Sequence, residues 1–286
     1  MMIRPYTKGT VISRDGTKIG YRQLGSGPGL ILVHGGMMGS QNFMRLAESL
    51  ANQFSVYIPD RRGRGLSSSS VGQFGLLPES EDIQALINQT QAEFIFGLSS
   101  GAIIVLQAAM NQPRLKKIAL YEPPIRVNGT KPMAWVTKYE SAMSAGNLGK
   151  ALIAVVKETS EPSLMTRLPI FLSGPLMNAA IRSDAKKAKG DDIALEHLIP
   201  TMRYDAKIAG EADGIIEKSK DIKAEILLLG GEKSQPYLKS ALDQLGQTFP
   251  KAKRTKFLGI GHLAADNSGK PEVVSKELRN FFAPEN

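Results

Sequence analysis

The chain has 286 residues, 42% of them hydrophobic, which is typical of one large α/β domain with room for an inserted subdomain. It contains no cysteine, and this excludes a disulfide framework, a thiolate nucleophile and a zinc–cysteine site. The formal net charge is +9, but the basic residues are dispersed and not interleaved with aromatics, so they predict solvated surface rather than a nucleic-acid interface.

The densest basic groups are Arg61-Arg62-Gly63-Arg64 and the runs at 186–189 and 251–254, and we expect all three to be solvated. The N-terminal stretch lacks the apolar segment of a signal peptide, and no segment approaches the ~18–20 apolar residues of a membrane span. These features predict a cytoplasmic protein with a small-molecule substrate, no nucleic-acid or membrane partner, no cofactor and no bound metal. A homo-oligomer is left open.

The first half of the chain alternates strand and helix patterns. Alternating runs at 11–14 and 18–22 flank Asp15-Gly16 and predict a hairpin. An apolar run at 30–33 predicts a buried strand, helical spacing follows over 41–51, and a strand at 54–59 comes next. Beyond these, the pattern predicts a helix over 79–91, a strand over 94–96, a helix over 102–110 and a strand over 117–121.

Residues 125–222 differ in character. Their apolar positions recur at helical spacing, and the stretch is interrupted at Pro162, Pro169, Gly174-Pro175 and Pro200, which predicts several short helices and no strand. Strands resume at 225–229 and 253–258, and a helix over 271–282 closes the chain.

This order predicts an α/β fold with a mostly parallel sheet covered on both faces. Ligands of such sheets bind beyond the carboxyl ends of the strands. The chemically useful side chains fall at or just after predicted strand ends and should therefore share one edge: His34, Asp60, Ser99, Glu122, Glu232 and His262.

Ser99 is the candidate nucleophile, because it lies in Gly97-x-Ser99-x-Gly101 between an apolar strand and an apolar helix. This pattern predicts a nucleophile elbow, a strained turn whose flanking glycines avoid collision with the neighbouring elements. A serine nucleophile needs a base. His262 follows the last strand in a glycine-containing loop and is the candidate, whereas His197 is expected on a surface helix of the insertion.

The chain resembles the α/β-hydrolase family in its serine-nucleophile branch with a helical cap. The resemblance covers nearly the whole chain and rests on four motifs in the family's order: His34-Gly35-Gly36, Asp60-x-Arg62-Gly63-x-Gly65-x-Ser67, Gly97-x-Ser99-x-Gly101 and Gly261-His262.

The resemblance implies an eight-stranded sheet, a core domain formed by residues 1–124 and 223–286, and a helical cap formed by residues 125–222. It implies an oxyanion hole made by the backbone N–H groups of Ser100 and Gly36, with Met37 as a less favoured donor. His34 would then be structural, and Asp60 would brace its own turn.

The third member of the triad departs from the family pattern. Ser234 stands where an aspartate is expected after the seventh strand, and a serine cannot stabilise an imidazolium as a carboxylate does. Two carboxylates could replace it. Glu122 follows the sixth strand and precedes two stiffening prolines, and it is the favoured candidate. Glu232 lies in the seventh-strand loop and is the alternative.

Two classes of function follow from these residues. The first is a serine hydrolase that acts on a small carboxylic ester, lactone or related acyl compound, with carbon–carbon cleavage or a peroxidase side activity left open. The second is a slow or non-catalytic small-molecule sensor on the same scaffold, which the missing aspartate favours. Apolar cap residues suggest an apolar pocket or ordinary packing: Met133, Trp135, Tyr139, Met165, Leu168, Phe171, Leu172 and Met177.

Overall fold

A single eight-stranded sheet organises the protein in the computed structural model, which describes residues 5–68, 73–127, 129–130, 133–159 and 168–283. The strand order is β1-β2-β4-β3-β5-β6-β7-β8; β1–β2 and β2–β4 pair antiparallel, and the other pairs are parallel. The strands are β1 (Thr7–Ile12), β2 (Lys18–Leu24), β3 (Gly29–Val33), β4 (Ser55–Pro59), β5 (Phe94–Leu98), β6 (Lys117–Tyr121), β7 (Glu225–Gly231) and β8 (Lys253–Phe257). The predicted α/β fold class is confirmed.

Helices cover both faces of this sheet, and a group of them interrupts it between β6 and β7. The described α-helices are α1 (Met44–Leu50), α2 (Leu76–Thr90), α3 (Ser100–Ala109), α4 (Val136–Ser144), α5 (Leu148–Thr159), α6 (Ile170–Ala185), α7 (Leu195–Leu198), α8 (Met202–Glu211), α9 (Ile215–Lys218), α10 (Pro236–Thr248) and α11 (Pro271–Phe282). Helix α10 was not predicted from the sequence. Its signal was nevertheless present: a proline occupies the first helical position, and the buried residues after it follow helical spacing, namely Leu238, Ala241, Leu242 and Leu245.

Strand side chains alternate between two apolar clusters, as the period of two requires. Ile31 and Val33 join α2, α3 and α10 on one face, while Leu30 and Leu32 join α1 and α11 on the other. Both clusters are almost completely buried, which explains why β3 reads as an unbroken apolar run.

The parallel arrangement fixes where a ligand can bind. β3 pairs with β4 on one side and β5 on the other, so the chain reverses its direction of sheet growth at β3. The loops that follow β3 and β5 therefore leave the sheet toward opposite faces and open a crevice between them. His34 and Ser99 begin those two loops, which places both at this crevice.

The insertion between β6 and β7 has a hydrophobic cluster of its own, built around Trp135, Tyr139, Leu152 and Ile199. Its last part packs differently, since Ile208 of α8 lies in the same cluster as the sheet. α8 therefore connects the insertion to the sheet and its covering helices.

One predicted interruption of the insertion is wrong. The sequence predicts that Gly174-Pro175 interrupts the helical stretch, but α6 runs through Pro175. The reason is packing against α5: a Cβ on Gly149 would lie 2.3 Å from the carbonyl oxygen of Gly174, so the two backbones touch. The Asn178 side chain also accepts a 2.8 Å hydrogen bond from the Gly149 amide. Tertiary contact here outweighs the local preference of proline. Pro162 lies outside the described residues.

The expectation of a solvated Arg61-Arg62-Gly63-Arg64 run is also wrong. All three arginines are at most 3% exposed, whereas the basic runs at 186–189 and 251–254 do lie at the surface. Arg62 forms a salt bridge with Asp82 and reaches Asp15. A buried guanidinium is tolerated because carboxylates neutralise it and accept its hydrogen bonds.

Arg61 and Arg64 share one carboxylate, that of Asp205 on α8. Arg61 donates to one Asp205 oxygen at 2.7 Å and to Glu79, and Arg64 donates to the other Asp205 oxygen at 2.8 Å. The Ser100 hydroxyl adds a third hydrogen bond to Asp205 at 2.6 Å. We call Arg61, Arg64, Glu79, Ser100 and Asp205 the arginine network. It balances two positive charges with two negative ones and links the β4 loop, α2, α3 and α8.

The stability of the arginine network should depend on pH. Burial by itself raises the pKa of Asp205, but the arginines outweigh it and lower this pKa from 3.8 to about 2. A depressed folded-state pKa stabilises the fold above pH 3.8, and that stabilisation is lost as the pH falls toward 2. Asp205→Asn should lower the free energy of unfolding by about 3–5 kcal/mol at neutral pH, since it leaves buried arginines undercompensated. Urea unfolding of variant and wild type should show this difference shrinking at acid pH.

Glu217→Gln provides the matched control, because Glu217 pairs with Lys220 in an exposed position. Exposed pairs contribute little, so this variant should unfold at the same urea concentration as the wild type. A loss from Asp205→Asn no larger than that of the control would show that the arginine network does not stabilise the fold.

Candidate active site

Ser99 lies between β5 and α3 with φ 57° and ψ −127°, a backbone conformation that non-glycine residues rarely adopt. Its amide donates a 2.9 Å hydrogen bond to the carbonyl of Tyr121 at the end of β6, which holds the turn in place. The serine thus stands at the head of a helix in a strained turn, as the elbow pattern predicts.

The two elbow glycines are required by close backbone approach. A Cβ on Gly97 would lie 2.6 Å from Cα of Ala102, and a Cβ on Gly101 would lie 2.4 Å from the carbonyl oxygen of Val33. Both distances are shorter than the van der Waals contact of a Cβ atom with a backbone atom. The backbone atoms cannot move aside as the end of a flexible side chain can. The sequence pattern therefore has a direct steric cause.

The loop after β3 lies against this elbow. A Cβ on Gly35 would lie 3.0 Å from Cβ of Ser99, so the loop passes next to the candidate nucleophile. Arg64 donates to the carbonyls of Gly35 and Met38 at 3.1 and 3.2 Å. Those carbonyls are therefore held toward the arginine network, and the described residues offer no acceptor to the Gly36 amide. The Ser100 amide also lacks a helical acceptor, because it begins α3.

His34 and Asp60 form hydrogen bonds with the loops around them. The buried His34 ring lies 3.0 Å through Nδ1 from the Gly35 carbonyl, and its Nε2 lies 3.3 Å from the Arg61 amide. An Nε2 that accepts requires a neutral ring, and burial with Arg64 and Arg61 nearby keeps the His34 pKa well below its usual value. Asp60 accepts hydrogen bonds from the amides of Ser40 and Leu66, which braces its own turn as predicted.

His262 and Glu122 form a buried pair. Nδ1 of His262 lies 2.7 Å from Oε2 of Glu122, and the carboxylate is completely buried. The other Glu122 oxygen accepts a 2.6 Å hydrogen bond from the Gly231 amide at the end of β7. The His262 loop is fixed independently, since the Tyr121 hydroxyl donates to the Gly261 carbonyl at 2.7 Å. The structure therefore brings Glu122 to the ring nitrogen where a triad acid acts.

The other candidates lie elsewhere. Glu232 is exposed, and its carboxylate accepts a hydrogen bond from the Gly259 amide at 2.9 Å. Ser234, at the position of the expected aspartate, is buried with no hydrogen-bond partner for its hydroxyl among the described residues. His197 is exposed on α7 beside Glu196, in agreement with the predicted surface setting.

Ser99 and His262 line the same cavity, which has a volume of about 100 Å³. This is small beside the ~300–1,000 Å³ of most ligand pockets. Its described apolar lining is Met37, Met38, Leu98, Pro124, Met133, Trp135, Val155, Val156, Met202, Ala209 and Leu263. The cavity therefore suits a compact and largely apolar group.

The cap residues proposed for an apolar pocket divide into several groups. Met133 and Trp135 line the cavity, whereas Tyr139 is buried in the insertion, where its hydroxyl donates to the Ile199 carbonyl, and Leu172 is exposed. Met165 lies outside the described residues. Sequence reasoning missed two titratable residues of the cavity, Asp205 and Tyr237, which lie on α8 and at the start of α10. Helical spacing in α10 was the available signal for Tyr237; no local pattern marks Asp205.

The described residues include no cluster of three or more histidine, aspartate or glutamate side chains that could hold a metal ion. No described helix combines the length and the apolar character needed to cross a membrane.

The elbow makes a steric prediction. Gly101→Ala should lower the free energy of unfolding by at least about 3 kcal/mol, because its methyl group would overlap the Val33 carbonyl. Gly210→Ala is the matched control: Gly210 lies in α8 with open space around its Cβ position, and alanine there should stabilise slightly. Thermal unfolding of both variants checks this, and equal midpoints would contradict the close approach at the elbow.

Comparison with known proteins gives a consistent result. A profile of the alpha/beta hydrolase fold family matches residues 28–268. The chain is 32% identical over 114 residues to an uncharacterized hydrolase, YraK, of Bacillus subtilis, a match that spans 38% of this chain and 42% of YraK. It is 25% identical over 264 residues to a 2-(acetamidomethylene)succinate hydrolase of Mesorhizobium japonicum, with 91% and 90% of the two chains covered.

A solved structure agrees with these matches. An alpha/beta hydrolase from Sphaerobacter thermophilus has 26% identity and a TM-score of 0.76, with 96% of this chain and all of that chain covered. The profile spans well over half of the sequence, and the sheet order and elbow geometry described above accord with it. The protein therefore belongs to the α/β hydrolase fold family.

Proposed function

We propose that the protein is a serine hydrolase that cleaves small carboxylic esters or lactones through an acyl-enzyme. Ser99 is the nucleophile, His262 the general base and Glu122 the acid that orients it. The observation that carries this proposal is the 2.7 Å contact between the buried Glu122 carboxylate and Nδ1 of His262, beside a cavity that both His262 and Ser99 line.

The hydrogen bonding of this pair supports the assigned roles. An ionised carboxylate only accepts, so the contact with Glu122 places a proton on Nδ1 of His262, and the neutral form of the ring then carries its lone pair on Nε2. Nε2 can then take the proton of the Ser99 hydroxyl as its oxygen attacks the substrate carbonyl. The same proton passes to the leaving alcohol oxygen, and water later releases the acyl group by the reverse path.

The negative oxygen of the tetrahedral intermediate needs donors. The amides of Ser100 and Gly36 are proposed for this role, since neither donates a hydrogen bond to a backbone carbonyl of the described residues. Arg64 supports the loop by holding the neighbouring carbonyls of Gly35 and Met38 on the opposite side. Donors fixed in advance stabilise developing charge without reorganising during the reaction.

We also propose that residues 1–124 and 223–286 form the catalytic core and that the insertion at 125–222 is a substrate-selecting cap. The separate hydrophobic cluster of the insertion supports this division. The name of the Mesorhizobium relative implies a substrate with two carboxylates. The described cavity lining of this chain contains no lysine or arginine that could bind a carboxylate. We therefore do not propose a dianionic substrate for this protein.

A sensor without turnover was the competing hypothesis, and it drew its weight from the missing aspartate at Ser234. Glu122 supplies a carboxylate to His262 from the neighbouring strand, which favours the hydrolase over the sensor.

Ser99→Ala should abolish both activity and covalent labelling. A fluorophosphonate probe is expected to add one label to the wild-type protein, because Ser99 is the one serine among the described residues with a positive φ and it lines a cavity with His262. Mass spectrometry of intact protein measures the label, and short nitrophenyl esters measure turnover. If the label still forms in Ser99→Ala, the assignment of Ser99 as the nucleophile is wrong. A wild-type protein that shows neither labelling nor turnover would favour the sensor hypothesis.

Glu122→Gln should lower kcat by about 10³-fold or more, because an amide that donates to Nδ1 would place the ring proton on Nε2. Glu232→Gln is the matched control and should change kcat less than about threefold, since its carboxylate contacts the Gly259 amide and not the ring. Steady-state kinetics of both variants, with unfolding midpoints to verify folding, decide between them. A larger loss from Glu232→Gln would move the acid to the seventh-strand loop.

A further inference from the structure

Tyr237 is a polar residue of the cavity that has no role in the proposed reaction. It is the second residue of α10, follows Pro236, and lines the cavity together with Ser99 and His262. Its hydroxyl has no hydrogen-bond partner among the described residues, in contrast to Thr159 of the same lining, whose hydroxyl donates to the Val155 carbonyl. A phenol that faces a ligand cavity without a partner is available to a bound molecule.

The charges around Tyr237 restrict what it can bind. Burial raises the pKa of the phenol above its usual value, and the nearby carboxylates of Glu122 and Glu158 raise this pKa further. The hydroxyl therefore stays protonated and serves as a neutral donor. A substrate carboxylate at this place would meet like charge and no lysine or arginine of the described lining.

The two buried arginines that pair with Asp205 do not compensate a substrate charge. Arg61 and Arg64 are committed to Glu79 and Asp205 and to loop carbonyls. Asp205 is part of the described cavity lining, and neither arginine is. An anionic group that drew on these arginines would have to displace a buried salt bridge, which costs several kcal/mol.

We propose that Tyr237 is a specificity-determining residue that donates a hydrogen bond to a second, uncharged oxygen of the substrate, such as a keto or ether oxygen. The substrate class is then a small ester or lactone that carries one such acceptor away from the scissile carbonyl and no carboxylate. This inference rests on the proposed hydrolase function and extends it to the substrate.

Three nitrophenyl esters of equal size test the inference: those of 4-methylpentanoic, 4-oxopentanoic and butanedioic acid. They place a methyl, a carbonyl or a carboxylate group at corresponding positions of the acyl chain. The wild-type protein should give the highest kcat/KM with the keto ester and the lowest with the carboxylate. Tyr237→Phe should reduce kcat/KM for the keto ester by about 5–10-fold, mainly through KM, and leave the methyl ester within about twofold.

Tyr204→Phe is the matched control, because Tyr204 stacks on Phe74 and does not line the cavity. It should leave the preference among the three esters unchanged. Equal effects of Tyr237→Phe on the keto and methyl esters would assign Tyr237 a structural role and overturn the inference while the hydrolase stands. A wild-type preference for the carboxylate ester would also overturn it. Failure of wild type to label with the fluorophosphonate or to cleave any of the esters would instead refute the proposed function on which the inference rests.

Discussion

The buried pairing of Arg61 and Arg64 with Asp205 is the constraint on which the site depends. A charge removed from water is tolerated only with a partner of opposite charge and with its hydrogen bonds satisfied. Here the partner comes from α8, far along the chain, and Nη1 of Arg64 donates to two carbonyls of the loop after β3. The same carboxylate accepts the Ser100 hydroxyl next to the elbow. One aspartate therefore sets the relative positions of the elbow, the loop and α8.

The neighbouring positions of β6 and β7 in the sheet explain where the carboxylate that faces His262 comes from. The ends of β6 and β7 are neighbours in the sheet, so a side chain from either strand can reach the same place. In this chain β6 supplies the carboxylate through Glu122, and β7 supplies a backbone amide, that of Gly231, to hold it. The positive φ of Glu122, 45°, turns its side chain back toward the histidine loop. Because the two strand ends are adjacent, either β6 or β7 can supply a carboxylate at nearly the same position beside the histidine.

The sequence predicted best what neighbouring residues determine. The Asp15-Gly16 hairpin, the elbow around Ser99 and the glycine loop before His262 each depend on a few adjacent residues, and the structure has the hairpin, the strained turn and the loop at these positions. The burial of Arg61 was not predictable in this way, because its partners lie 18 and 144 positions farther along the chain. Charge counting treats such residues as surface until a partner is known. For the same reason Asp205 carried no local signal of its role.

The division of α8 between two hydrophobic clusters has a mechanical consequence. Met202 at its first turn belongs to the cluster of the insertion, whereas Ile208 and Ala209 belong to the cluster under the sheet. Asp205 lies between them and is bound to the arginines. A rigid-body swing of the insertion that widened the cavity would have to leave the second half of α8 in place. The pivot on that side would then fall at the first turn of α8, so α4 to α7 could move while the loop after β3 and the elbow stayed still.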